Sequence, residues 1–123
     1  MNILVIDDDK ATIHALMHYL QEQGHKVSVA VDGEQAISKV SSEAFDLIIS
    51  DIMMPGISGL SLVNVLRTVH LCTVPIIMMS SLVNQPLLDA AFEAGANDFI
   101  SKPVGIEDLD IKLQKFDPTT SET

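Results

Sequence analysis

The sequence predicts an α/β fold: one domain on a doubly wound, five-stranded parallel sheet with helices on both faces. Three observations carry this expectation. Short aliphatic runs alternate along the whole chain with stretches whose apolar residues fall at helical spacing. The first and third runs, Ile3 to Ile6 and Leu47 to Ile49, are apolar without polar alternation, as in strands covered on both faces. Gly24 and Gly95 stand where helical patterns stop.

Taken in order, residues 3–6 are an interior strand ended by three consecutive carboxylates, Asp7, Asp8 and Asp9. Residues 11–23 place Ile13, Leu16, Met17 and Leu20 at helical spacing. Residues 26–30 alternate as a second strand, and residues 32–42 form a helix with Ala36, Ile37 and Val40 inward. Residues 46–50 are a buried third strand that delivers Asp51 to its end before the Pro55-Gly56 turn. The rhythm continues with a helix at 60–69, a strand at 75–79, a helix at 83–94, a strand at 98–101 and a helix at 106–116. Right-handed crossovers between successive parallel strands give the open sheet. Residues 117–123 are polar and contain Pro118, too little apolar surface to fold. The domain is therefore expected over 1–116, with 117–123 as a disordered tail or the start of a linker.

A chain of 123 residues buries one good core but not two. A net charge of −10, with seven Lys and Arg in no run, argues against direct nucleic-acid binding. The single Cys72 excludes an internal disulfide; with no leader and no long apolar run, a cytoplasmic setting away from the membrane is expected.

In open α/β sheets, sites form outside the carboxyl ends of the strands. This chain puts Asp7, Asp8 and Asp9 after the first strand, Asp51 after the third, Ser80 and Ser81 after the fourth, and Lys102 after the fifth. Gathering carboxylates is costly without a counter-charge, so the cluster implies a bound cation. Oxygen-only ligation suits a hard ion, and Mg²⁺ fits because it needs few protein ligands. A carboxylate can also attack phosphorus to form an aspartyl-phosphate, with an ammonium and a metal offsetting charge on the phosphoryl oxygens and a hydroxyl binding the product. Helix capping by Asp7 to Asp9 would explain those three but leave Asp51 and Lys102 without a role. Lys102-Pro103 can be cis or trans; the sequence leaves this open.

The chain resembles the receiver domains of two-component response regulators, the CheY-like family. The matching pieces are ILVIDDD at 3–9, DLIISDIMMPGISGL at 46–60, PIIMMSS at 75–81 and GANDFISKP at 95–103, and the likeness runs from residue 2 to about 116. It implies a flavodoxin-like (βα)5 topology with strand order 2-1-3-4-5. It further implies that Asp51 is the phosphoacceptor and that Asp8 and Asp51 ligate Mg²⁺ with the backbone carbonyl of Met53, Asp7 reaching the ion through water. Lys102 pairs with the phosphoryl group, while Ser80 and Phe99 act as a switch that rearranges the face of the fourth helix, fifth strand and fifth helix. Asp9 has no ligand role and reads as a helix cap. The implied function is to accept a phosphoryl group from a sensor histidine kinase or a histidine phosphotransfer protein. Its chemistry is limited to its own phosphorylation and dephosphorylation. An interaction module with a silent site and a small-molecule aspartyl-phosphate phosphatase are the alternatives; the second lacks a cap or long insertion to enclose a substrate.

The chain departs from the family pattern at Ser81, where Ala is common, and at Phe99, where Tyr is common. Met53 and Leu82 flank the site without a group to orient a hydrolytic water, so the phosphoryl group is expected to persist for minutes or longer. In the fourth helix, Leu87, Ala91 and Ala94 form one stripe and Leu88 and Phe92 an adjacent one. A partner surface is expected around Leu88, Phe92 and Phe99 with Lys112 and Lys115 as a basic edge, serving a phosphorylation-dependent homodimer or an output domain. Broad packing that buries both stripes is the competing reading. His14, His18 and Glu22 read as a solvated helix face rather than a metal stripe, Cys72 as unreactive, and Met53, Met54, Met78 and Met79 as packing filler.

Overall fold

In the computed structural model, which describes residues 1–54 and 56–117, the elements run β1 (Asn2–Ile6), α1 (Lys10–Glu22), β2 (Lys26–Ala30), α2 (Gly33–Ser42), β3 (Leu47–Asp51), α3 (Gly59–Thr68), β4 (Ile76–Ser80), α4 (Gln85–Ala94), β5 (Asp98–Ser101) and α5 (Ile106–Phe116). All strands pair in parallel, in the order β2-β1-β3-β4-β5. The order steps outward in both directions from β1, so the chain reverses there and leaves a crevice above the ends of β1 and β3.

Two cores explain why the strands need no polar face. Alternate strand residues Leu4, Ile6, Ile48, Ile76 and Met78 pack under Ala36 of α2, Leu62, Val63 and Leu66 of α3, and Ala91 of α4. The intervening Ile3, Val5, Leu47, Ile49, Ile77 and Met79 pack under Leu16 and Leu20 of α1 and Leu109 and Leu113 of α5. Each aliphatic side chain removed from water contributes roughly 1.5–3 kcal/mol. Continuous apolar strands are the pattern this two-sided burial requires.

Caps set the helix starts. The Asp9 carboxylate accepts from Ala11 N–H and Thr12 Oγ1, so α1 begins at Lys10 and Asp9 is its cap. Asn84 accepts from Leu87 N–H and a proline follows in the first turn, so α4 begins at Gln85. The predicted start at residue 83 is two residues early, and Val83 lies outside the helix, exposed. The third strand runs one residue further than expected, with Asp51 as its last member. The expectation for the tail at 118–123 lies outside the described residues. Among the described residues, no helix is long and apolar enough to cross a membrane.

Candidate functional site

Strand register assembles the site. Ile6 pairs with Ser50, so Asp7, one residue past β1, stands level with Asp51; Asp51 pairs with Met79, which puts Ser80 one step further out. Asp7 is fully buried, its N–H donating to Ala30 O at 3.1 Å and its Oδ1 accepting from Asp9 N–H at 3.0 Å. Asp8 is exposed at the crevice. Asp51 is 5% exposed and accepts from Met53 N–H at 3.4 Å. Asp7, Asp8 and Asp51 each offer a carboxylate oxygen within 4.8 Å of the others.

Lys102 enters from beyond β5. Its N–H donates to Ser80 O at 2.9 Å, its bond to Pro103 is cis, and its Nζ lies 2.8 Å from Asp7 Oδ2 and 3.4 Å from Asp51 Oδ2. Ser80 is buried beside it, its Oγ accepting from Leu82 N–H at 3.1 Å. Ser81, Leu82 and Met53 are exposed at the rim.

The electrostatics are under-compensated. Burial raises the Asp51 pKa, and the charge of Asp7 raises it further, against the opposing pull of Lys102 and the Met53 N–H. Burial alone would lower the Lys102 pKa, but its hydrogen bond to Asp7 and the charges of Asp7 and Asp51 carry it above the ordinary lysine value. Asp7 Oδ2 is buried with the Lys102 ammonium as its partner. One ammonium thus faces three carboxylates, and every donor is an oxygen. The set fits a hard divalent cation, held by carboxylates from the ends of two strands.

The loop returning from Asp51 to α3 closes tightly. Gly59 N–H donates to Ile52 O at 2.7 Å. A Cβ at Gly59 would overlap Asp51 O and lie 2.7 Å from Ile52 Cα, so glycine is required for this approach.

The proposed signalling residues divide. Phe99 is 8% exposed and sits in the α2-α3-α4 core. Leu88 is half-buried against that core, while Phe92 is 48% exposed. The expected surface around Leu88, Phe92 and Phe99 therefore presents Phe92 and the edge of Leu88, with Phe99 inside. Lys112 and Lys115 do not form a free basic edge: their Nζ atoms lie 2.8 and 2.7 Å from the two oxygens of Asp98, which is nearly buried.

Sequence reasoning passed over Asp98 and Arg67. Lys112 and Lys115, spaced i, i+3 on one face of α5, were the available sign of a shared acidic partner. The Arg67 guanidinium donates to the carbonyls of Cys72, Val74 and Gly95 and to Asn97 Oδ1, pinning the α3–β4 loop to the start of β5. Its standing as the one charged residue of α3 was its only signal. His18 and Glu22 pair at 3.3 Å on the exposed face of α1.

Carboxylates at the ends of β1 and β3 beside a lysine from beyond β5, on a 2-1-3-4-5 sheet, define a doubly wound α/β protein with an acidic site at its switch point. The chain belongs to the response regulator receiver domain family, whose model matches residues 3–114. It is 27% identical over 114 residues to the transcriptional regulatory protein CrdR of Helicobacter pylori, covering 93% of this chain and 54% of that protein. It is 34% identical over 113 residues to a cyclic di-GMP phosphodiesterase of Thermotoga maritima, covering 92% and 30%. A two-component response regulator from Clostridium difficile superposes with a TM-score of 0.90 at 30% identity, covering 94% of each chain. The chain thus spans about half or less of these two curated relatives.

Proposed function

We propose that this domain accepts a phosphoryl group on Asp51 from the phosphohistidine of a sensor kinase or histidine phosphotransfer protein. The observation that carries the reading is the Asp51 carboxylate at the end of β3, clustered with Asp7 and Asp8 and 3.4 Å from Lys102 Nζ. Attack by an Asp51 oxygen forms the new O–P bond as the donor N–P bond breaks. Lys102, held by Asp7, is placed to offset charge on the phosphoryl oxygens. Asp7, Asp8, Asp51 and the Met53 carbonyl would hold Mg²⁺, which when bound neutralises phosphoryl charge. Burial of Asp51 in a nearly dry strand end strengthens each of these interactions.

The output reading follows from two residues on adjacent strands. Ser80 Oγ now accepts from Leu82 N–H at the site's edge, and Phe99 fills the core beside β4, its strand pairing residue by residue with Ser80's. Engagement of the Ser80 hydroxyl by the phosphoryl group would open space for Phe99 and shift the α4-β5-α5 face, biasing a two-state element. Partners would meet that face at Leu88 and Phe92, as a second phosphorylated copy or an output domain; Lys112 and Lys115 join only if Asp98 releases them. A histidine-kinase donor places the domain in the cytoplasm, with no membrane or nucleic-acid contact of its own. The test is transfer from a phosphorylated histidine phosphotransfer protein in Mg²⁺. Label moving to this chain and not to its Asp51→Asn variant supports the reading; equal label on both contradicts it.

A further inference from the structure

The loop that follows Asp51 rests on a helix from a different part of the chain. Ile57, in that loop, packs against the first core, and its Cγ2 methyl occupies the space where a side chain at Gly33 would begin. A Cβ built on Gly33 overlaps that methyl, whereas its next neighbours, Ile57 Cβ at 3.5 Å and Leu62 Cδ1 at 3.8 Å, are at ordinary contact distance. Gly33 is the first residue of α2 and is buried. The conflict therefore involves one methyl group on a β-branched residue, whose χ1 is stiff.

The seat under Ile57 is itself fixed. Asp32 caps α2 by accepting from Gln35 N–H at 2.8 Å, and the Gln35 side chain accepts in return from Val31 N–H at 3.1 Å. One residue earlier, Ala30 O accepts from Asp7 N–H. The end of β2 thus touches the acidic site through Asp7, and the start of α2 touches Ile57, in the loop that follows Asp51.

We propose that Gly33 is a positioning residue for the cation site: the absence of its side chain seats Ile57 and thereby sets where Met53 lies beside Asp51. This rests on the receiver reading and adds a residue to it that touches neither ion nor phosphoryl group. The φ of Gly33 does not call for glycine, and alanine is the better helix former, so local propensity alone predicts that Gly33→Ala raises thermal stability. The seat predicts a loss in ion binding instead.

The experiment measures Mg²⁺ affinity by calorimetry on the unphosphorylated protein, its Gly33→Ala and Ile57→Ala variants and the double variant, with melting temperature and acetyl phosphate mass gain alongside. The expected result is about tenfold weaker Mg²⁺ binding in Gly33→Ala, as for groups that orient ligands from behind. Removing the opposing methyl should rescue it, so that the double variant matches Ile57→Ala alone. Should Gly33→Ala fail to fold, the comparison of Ile57→Ala with the double variant carries the test, because without the methyl the added Cβ meets only Ile57 Cβ and Leu62 Cδ1 at ordinary contact distance. Parent affinity in Gly33→Ala, or a loss that persists in the double variant, overturns the proposal. A parent that binds no Mg²⁺ and gains no phosphoryl group overturns the receiver reading itself, a distinguishable result.

Discussion

Lys102 Nζ sits 2.8 Å from Asp7 Oδ2 and 3.4 Å from Asp51 Oδ2, so one ammonium is shared between the fully buried Asp7 carboxylate and that of Asp51, the proposed phosphoacceptor. Asp7 thereby holds Lys102 beside Asp51, where the proposed reaction would bring phosphoryl oxygens.

Replacing Lys102 with Met leaves the carboxylates facing one another without their ammonium. Breaking a fully buried pair costs roughly 3–5 kcal/mol; the 17% exposure of the Lys102 side chain brings this to about 2 kcal/mol. Thermal melting without Mg²⁺ should show that loss, and added Mg²⁺ should recover part of it. Phosphorylation by acetyl phosphate should slow by about 10²-fold, as when one charge-stabilising group is removed.

Asp98 gives a pH dependence remote from the site. Burial pushes its pKa up, but hydrogen bonds from Lys112 and Lys115 outweigh this and hold it below the ordinary aspartate value. A carboxylate depressed in the folded state binds fewer protons there than in the unfolded chain, so its stabilisation is full above the ordinary value near 4 and fades as pH falls through the folded pKa. Asp98→Asn should cost about 2 kcal/mol at neutral pH. The difference in melting temperature from the parent should shrink below about pH 4.

Phe92 and Phe99 should separate surface from core. Phe92→Ser, at a site 48% exposed, is expected to change stability by no more than about 1 kcal/mol while weakening phosphorylation-dependent association. Phe99→Ala should cost roughly 3–5 kcal/mol from the cavity it leaves. Denaturant unfolding and sedentation of the phosphorylated forms by ultracentrifugation read the two effects.

The rim of the site predicts a slow loss of phosphate. Met53 is 72% and Leu82 61% exposed, and neither side chain offers a group to orient an attacking water. The phosphorylated domain should persist for minutes or longer, followed by the decay of its added mass. Met53→Asn should shorten that lifetime by supplying a hydrogen-bonding group.

The fold was legible because burial on both faces leaves unbroken aliphatic strands, and the site was legible because chemistry-bearing residues stand at strand ends. Asp7, Asp51, Ser80 and Lys102 each follow or end such a run, and parallel register brings them together. What the sequence hid depends on packing between helices and loops. Asp98 reads as an ordinary strand start until α5 folds over it and delivers two lysines. The inward position of Phe99 is a choice of side-chain direction, which an edge strand does not encode locally. The seat of Ile57 on Gly33 joins residues from separate crossovers, beyond the reach of any local pattern.

The central claim is tested most directly by incubating the protein with acetyl phosphate and Mg²⁺ and measuring intact mass beside the Asp51→Asn variant. The account predicts a gain of one phosphoryl group in the parent, abolished by chelating Mg²⁺ and absent from the variant. No gain in the parent at any Mg²⁺ concentration, or the same gain in Asp51→Asn, would contradict it.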